Sequence, residues 1–318
     1  MPFLNAGELS LHYQTLECQA IATDPTQPLA PTALTPQTVV LIHGLGANLA
    51  FWYLGIAKAL ARIYHVAMYD LRGHGRSALV RQGYTLTDMG TDLTRLLDHL
   101  QLERVHLVGH SFGARVALAY AIANPNRVHT LTVADTQISA LQPQVRLRDW
   151  PYWERWKLEL QQQGFQDLPD EDEPINFRML AYFSRLAADP SAGAARRGPS
   201  LRRRDMGNKG ADRWERLMET AARQEFERDH EITISGLRGL TTPTLLMFGE
   251  FTHCIRSYER LRELLPDATT MLVPEAGHFH PAVRPRLFVA SLRRFLAAHG
   301  TPAPELSEHR PPRLSRRS

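Results

Sequence analysis

The chain has 318 residues, 43% of them hydrophobic and 22% charged, proportions that allow a sizeable core and exclude global disorder, collagen-like repetition and a disulfide scaffold. Its 37 Lys and Arg against 33 Asp and Glu give a net charge of +4. Residues 301–318 hold four Arg and two Glu and so supply half of that excess, which leaves the body of the chain without a charge signal for nucleic acid.

Residues 3–20 read as two short strands, with Leu9, Leu11 and Tyr13 alternating. Pro25, Pro28, Pro31 and Pro36 mark residues 23–37 as a long surface loop. Val39–Ile42 is an apolar run suited to a strand buried on both faces. A Gly-rich turn follows it, then an apolar helical stretch at 50–62. His65–Tyr69 predicts a strand, and Leu86, Met89, Leu93, Leu96, Leu97 and Leu100 give residues 86–100 a helical period. Val105–Val108 predicts a strand, residues 113–123 a helix and Leu131–Ala134 another strand. Strands alternating with helices imply βαβ units and a mainly parallel sheet.

From about residue 140 the composition changes: residues 140–235 are rich in Trp, Arg and Gln and show no strand pattern. The strand signal resumes at Thr244–Phe248 and Thr269–Val273, and a helix at 283–298 follows. The expected division is a core at 1–139, a helical insertion at 140–235, the rest of the core at 236–299 and a disordered basic tail at 300–318. No apolar run reaches the roughly 18 residues of a membrane span, and the first residues lack the charged and apolar regions of a secretory signal. Cys18 and Cys254 are too few for a disulfide framework and lack metal-site spacing, so a cytoplasmic setting is expected.

The sharpest chemical signal is Gly109-His110-Ser111-Phe112-Gly113, set between an apolar strand and a helix. In that context G-x-S-x-G is a nucleophile elbow, a tight turn that lifts the serine hydroxyl at the C-terminal edge of a sheet. A serine needs an adjacent base. His278, in Glu275-Ala276-Gly277-His278-Phe279-His280, leaves the last strand at the same edge and can take and return the Ser111 proton, with His280 as its local rival. A developing oxyanion needs donors. The Phe112 N–H is one, and the Leu45 N–H of His43-Gly44-Leu45-Gly46 is the expected second. The candidate substrate contacts are His43, His110, Trp150 and Trp153.

With these motifs in view the chain resembles the α/β-hydrolase fold superfamily. The matching pieces are His43-Gly44-Leu45-Gly46, the Asp70-Leu71-Arg72-Gly73-His74-Gly75-Arg76-Ser77 segment, the elbow and Ala276-Gly277-His278, in family order over roughly residues 5–298. The resemblance implies a mainly parallel sheet flanked by helices with a helical lid at 140–235, and a structural role for Asp70, Arg72 and His74. It also exposes a departure. The family's usual acid position, after the penultimate strand, reads Gly249-Glu250-Phe251-Thr252, and threonine cannot carry the charge. Some members take the acid from the preceding strand, which here ends in Asp135. Asp135 is the expected triad acid, Glu250 is the alternative, and a Ser–His dyad or an inactive site is the third reading.

Ser111 rules out the alkyl–enzyme ester route of carboxylate-bearing relatives and points to acyl transfer. The resulting expectation is a serine hydrolase of a carboxylic ester or thioester. The alternatives are a carbon–carbon bond hydrolase on the same triad and a non-catalytic binding member of the fold. No metal or organic cofactor is called for, the partner is a small acyl substrate, and no nucleic acid is expected. Trp150, Trp153 and Trp156 recur every three residues, either packing the lid or walling an acyl pocket. Arg196, Arg197, Arg202, Arg203, Arg204 and Lys209 read as a solvated loop, with an anion site for a carrier-linked acyl group as the sharper alternative. Arg310, Arg313, Arg316 and Arg317 read as a solvated terminus.

Overall fold

Thr38–Ile42 is buried at every position because its alternate side chains enter two different apolar layers. Val40 and Ile42 join one cluster with Ala67, Leu107, Leu131 and Phe248. Val39 and Leu41 join the other with Val66, Met68, Leu245 and Phe288. An uninterrupted run of branched apolar residues is what such a two-faced strand requires. The computed structural model describes residues 2–6, 9–19, 37–162, 168–175 and 208–299. The proline-rich loop, the basic tail and Arg196–Arg204 lie outside them.

Eight strands form one sheet: β1 (Phe3–Ala6), β2 (Leu9–Leu16), β3 (Thr38–Ile42), β4 (His65–Tyr69), β5 (Val105–His110), β6 (Val128–Ala134), β7 (Thr244–Gly249) and β8 (Thr269–Val273), in the order β1-β2-β4-β3-β5-β6-β7-β8. β1 and β2 pair antiparallel and β2 lies antiparallel to β4; every later pair is parallel. The chain thus has the α/β hydrolase architecture expected of it. All parallel strands finish at one edge, and that edge carries the site.

The longest helix before β5 starts where the sequence supplies both a cap and an apolar stripe. Thr85 and Asp88 form a reciprocal capping box for the Leu86–His99 helix, which buries Leu86, Met89, Leu93, Leu96 and Leu97. Ile255–Leu264 is a helix that its sparse apolar positions (Ile255, Tyr258, Leu261, Leu264) do not announce. The helix expected at 283–298 runs Pro285–His299, opened by Pro285, and a separate four-residue helix, His280–Val283, precedes it. Between β6 and β7 the described residues hold helices at Trp153–Gln162, Asn208–Met218, Ala222–Glu225 and Ile234–Arg238, and no strand beyond one isolated bridge, Arg146 to Pro174. No helix among the described residues is long and apolar enough to cross a membrane.

His43, His74, His106, His110 and His280 are all buried. Burial is the main cause that lowers each of them, to about 3 for His74 and His106 and about 4 for His280. The unfolded chain takes up those protons near pH 6.5, while the folded chain takes them up only at lower pH. Their contribution is therefore complete above about pH 6.5 and is lost as pH falls, at on the order of 1 kcal/mol per pH unit for each group. The melting temperature should drop by several degrees between about pH 7.5 and about pH 5.5. A flat profile in differential scanning calorimetry would contradict this.

Candidate active site

β5 ends at His110 and the next helix starts at Phe112, so Ser111 alone turns the chain. It does so at φ 56°, a conformation that costs a residue with a Cβ on the order of 1–3 kcal/mol. Two glycines make the crossing possible. A Cβ on Gly109 would lie 2.3 Å from the Gly113 oxygen, and one on Gly113 would lie 2.3 Å from the Ile42 oxygen. Helix, β5 and β3 touch through backbone there, and the serine is left partly exposed at the strand ends.

The loop after β8 brings His278 to that serine. Its Nε2 lies 3.0 Å from Ser111 Oγ, and its Nδ1 lies 2.8 Å from Asp135 Oδ1. A carboxylate has no proton to give, so Nδ1–H donates and Nε2 is the acceptor that faces the hydroxyl. The loop itself is fixed from below: His110 Nε2 donates to the His278 carbonyl at 2.8 Å.

Asp135 is fully buried on the turn after β6, itself at φ 49°. Burial alone would push its carboxyl upward. The hydrogen bond and charge of His278, the His280 charge and the Gly249 N–H outweigh burial and hold it below the usual carboxylate range. Three donors replace its water: His278, the Gly249 N–H at 2.8 Å and the Thr252 hydroxyl at 2.5 Å. Thr252 is the residue that reasoning from sequence undervalued. Read only as a missing acid, it is a donor to the acid of the neighbouring strand. No local signal marked it, because the contact arises from the parallel pairing of β6 and β7 through Ala134 and Met247, which puts the two turns side by side.

The remaining candidates separate clearly. Glu250 accepts the Glu275 N–H at 2.8 Å and is not the group on the imidazole. His280 is fully buried, and its Nε2 donates to the Met247 carbonyl at 3.0 Å. His43 does not offer a substrate contact: it is fully buried, its Nε2 accepts the Leu71 N–H and its Nδ1 donates to the Gly44 carbonyl. His110 likewise does not: it is buried, stacked on Phe51 at 4.8 Å and committed to the His278 backbone. Both rings hold loops. Trp153 is buried, while half-buried Trp150 lies 6.1 Å from the Tyr152 ring, which in turn lies 5.0 Å from Phe251 on the Thr252 turn. The Trp156 side chain lies outside the described set.

The expected oxyanion turn sits against the nucleophile, since a Cβ on Gly44 would come within 2.9 Å of Ser111 Cβ. No acceptor among the described residues takes the N–H of Leu45 or Phe112. Asp70 organises this turn from behind. Its carboxylate accepts the Leu49 and Arg76 N–H groups and lies 2.7 Å from His12 Nδ1. Arg72 grips Asp92 through two hydrogen bonds, of 2.6 and 2.5 Å. His253 packs beside His278, with ring centroids 5.0 Å apart; burial, then the His278 charge, lowers it to about 3.

The profile of the alpha/beta hydrolase fold family matches residues 37–285, and the chain belongs to that family. It is similar to the "Putative carbamate hydrolase RutD" of Variovorax paradoxus, 30% identical over 276 residues that cover 84% of this chain and 95% of that protein. A Caulobacter protein of the same name is 41% identical over 100 residues, 31% of this chain and 37% of that protein, so the shared stretch there is little more than a third of the relative. Among solved structures, the enol-lactonase from Burkholderia xenovorans has a TM-score of 0.62 at 18% identity, covering 93% of this chain and 100% of that one, a likeness of fold. Hydrolase chemistry is what the family and its named relatives support.

Replacing Thr252 removes one donor from a buried charge. Thr252→Val should cost about 1–3 kcal/mol in chemical denaturation, and Thr252→Ser should recover most of it. Equal stability of the three proteins would show that this hydrogen bond carries no weight.

Proposed function

We propose that this protein is a serine hydrolase that cleaves a carboxylic ester or thioester by acyl transfer to Ser111. The observation that supports the reading is the unbroken relay from Ser111 Oγ through His278 to Asp135. His278 Nε2 takes the hydroxyl proton as Oγ attacks the carbonyl carbon, and Asp135 steadies the resulting imidazolium. The Phe112 and Leu45 N–H groups receive the developing oxyanion. The tetrahedral adduct collapses, the C–O or C–S bond breaks, and the leaving group departs with the proton from Nε2. Water then repeats the sequence: Nε2 takes its proton, hydroxide attacks the acyl-Ser111 carbonyl, and the free acid leaves with Ser111 restored. This route needs no metal or organic cofactor. The segment at 140–235 serves as the lid, with half-buried Trp150 on its acyl side and buried Trp153 packing it in place. A carbamate, as in the name of the Variovorax relative, is an acyl substrate open to the same attack.

Ser111→Ala should lower kcat by about 10⁴-fold with little change in fold. A fluorophosphonate probe should label Ser111 in the native chain and label it far more slowly after Asp135→Asn. A panel of esters, thioesters, carbamates and lactones graded by chain length reads out the substrate class. An unlabelled Ser111 together with undiminished turnover in Ser111→Ala would sink the proposal.

A further inference from the structure

Three ligand-bearing side chains converge beside the serine, two of them neighbours in sequence and one brought from a distant loop. The donor atoms of His253, Cys254 and His278 all lie within 4.8 Å of one another. Cys254 and Cys18 are both free thiols. Two imidazoles and a thiol are a donor set of intermediate softness, the kind that selects Zn²⁺ or Co²⁺ over Mg²⁺ or Ca²⁺.

The surroundings fit such an ion. The backbone of the cluster is fixed: Cys254 N–H donates to Thr252 Oγ1 at 3.0 Å, and the His253 carbonyl accepts from Gln142 Nε2 at 2.7 Å. The His253 ring has no hydrogen-bond partner among the described residues, so it can turn without breaking one. A tetrahedral Zn²⁺ holds its ligand atoms roughly 3.5 Å apart, so binding draws the three side chains together by up to about 1 Å. His253 and His278 are partly exposed while Cys254 is buried, which gives an ion a way in and a dry floor. The buried Asp135 carboxylate, already bonded to His278, attracts a cation, while burial and that same charge hold the Cys254 thiol well above its usual range, so the ion itself must displace the thiol proton.

We propose that His253, Cys254 and His278 form an inhibitory site for a borderline-soft divalent cation, with Zn²⁺ as its best occupant. On binding, the Cys254 thiol gives its proton to solvent and Sγ, with one nitrogen from each histidine, enters the coordination sphere; no electron changes hands. Both His278 nitrogens are engaged in the relay, one with Ser111 and one with Asp135. A cation on either nitrogen therefore breaks one of its two links. The inhibitory consequence rests on the reading of His278 as the catalytic base, whereas the binding itself does not.

The test uses the full chain stripped with a chelator. Zn²⁺ is titrated against a chromophoric competitor, Co²⁺ is followed by absorption, and ester hydrolysis is measured in parallel. Expected are one Zn²⁺ per chain, a thiolate-to-cobalt charge-transfer band in the near ultraviolet, and hydrolysis that falls with occupancy and returns with chelator. His253→Ala and Cys254→Ser should each weaken Zn²⁺ binding by at least about tenfold, by analogy with the loss of a metal-supporting group. His253→Ala, at a partly exposed position, keeps the test sound if the buried Cys254→Ser variant fails to fold. Absence of saturable binding, a cobalt spectrum without the thiolate band, or unchanged affinity in His253→Ala would each overturn the site. Site-specific binding with undiminished hydrolysis would overturn the inhibitory role alone. If no substrate is turned over at all, the hydrolytic reading fails while the titration still decides the metal site.

Discussion

A carboxylate cut off from water stays charged only if the protein replaces the water it has lost. Everything at the strand ends is arranged around that demand at Asp135. Its three donors come from three separate stretches: the loop after β8, the end of β7 and the turn beyond it. Isolated in an apolar interior, such a charge would cost several kcal/mol or would simply be neutralised. Satisfied, it fixes the imidazole's tautomer, and the tautomer fixes which nitrogen faces Ser111. The direction of proton movement in the proposed chemistry thus follows from the solvation of one anion.

The second constraint is steric. The serine's place depends on backbone lying against backbone where β3, β5 and the Phe112–Ala123 helix meet, and two glycines leave the room. Strain at Ser111 is confined to one residue and held there by the paired strands on either side. The rings that look chemically available in the sequence, His43 and His110, are used to pin loops, because a buried neutral imidazole can donate from one nitrogen and accept at the other.

Much of this was legible in the residues. Alternating apolar runs and helical stripes located the sheet, and the elbow and the Gly277-His278 turn singled out the two side chains, Ser111 and His278, that the fold brings within hydrogen-bond reach, because period and turn chemistry are local properties. What was not legible depends on which strands are neighbours. Which carboxylate meets His278, Asp135 or Glu250, could be weighed only on resemblance, because the contact depends on how β6, β7 and the loop after β8 sit together. Thr252 as a donor, and His253 and Cys254 beside His278, are products of the same adjacency. The Ile255–Leu264 helix escaped notice because most of its surface is polar, so its stripe is thin.

Asp135 and Thr252 constrain each other. Two adjoining seats stand at the ends of parallel strands, one filled by an anion and the other by a hydroxyl that serves it. Neither occupant can drift alone: a second anion would repel the first, and two hydroxyls would leave the imidazole without a counter-charge. Moving the carboxylate from one strand end to the other therefore takes both changes at once, since either change alone leaves His278 facing two anions or none.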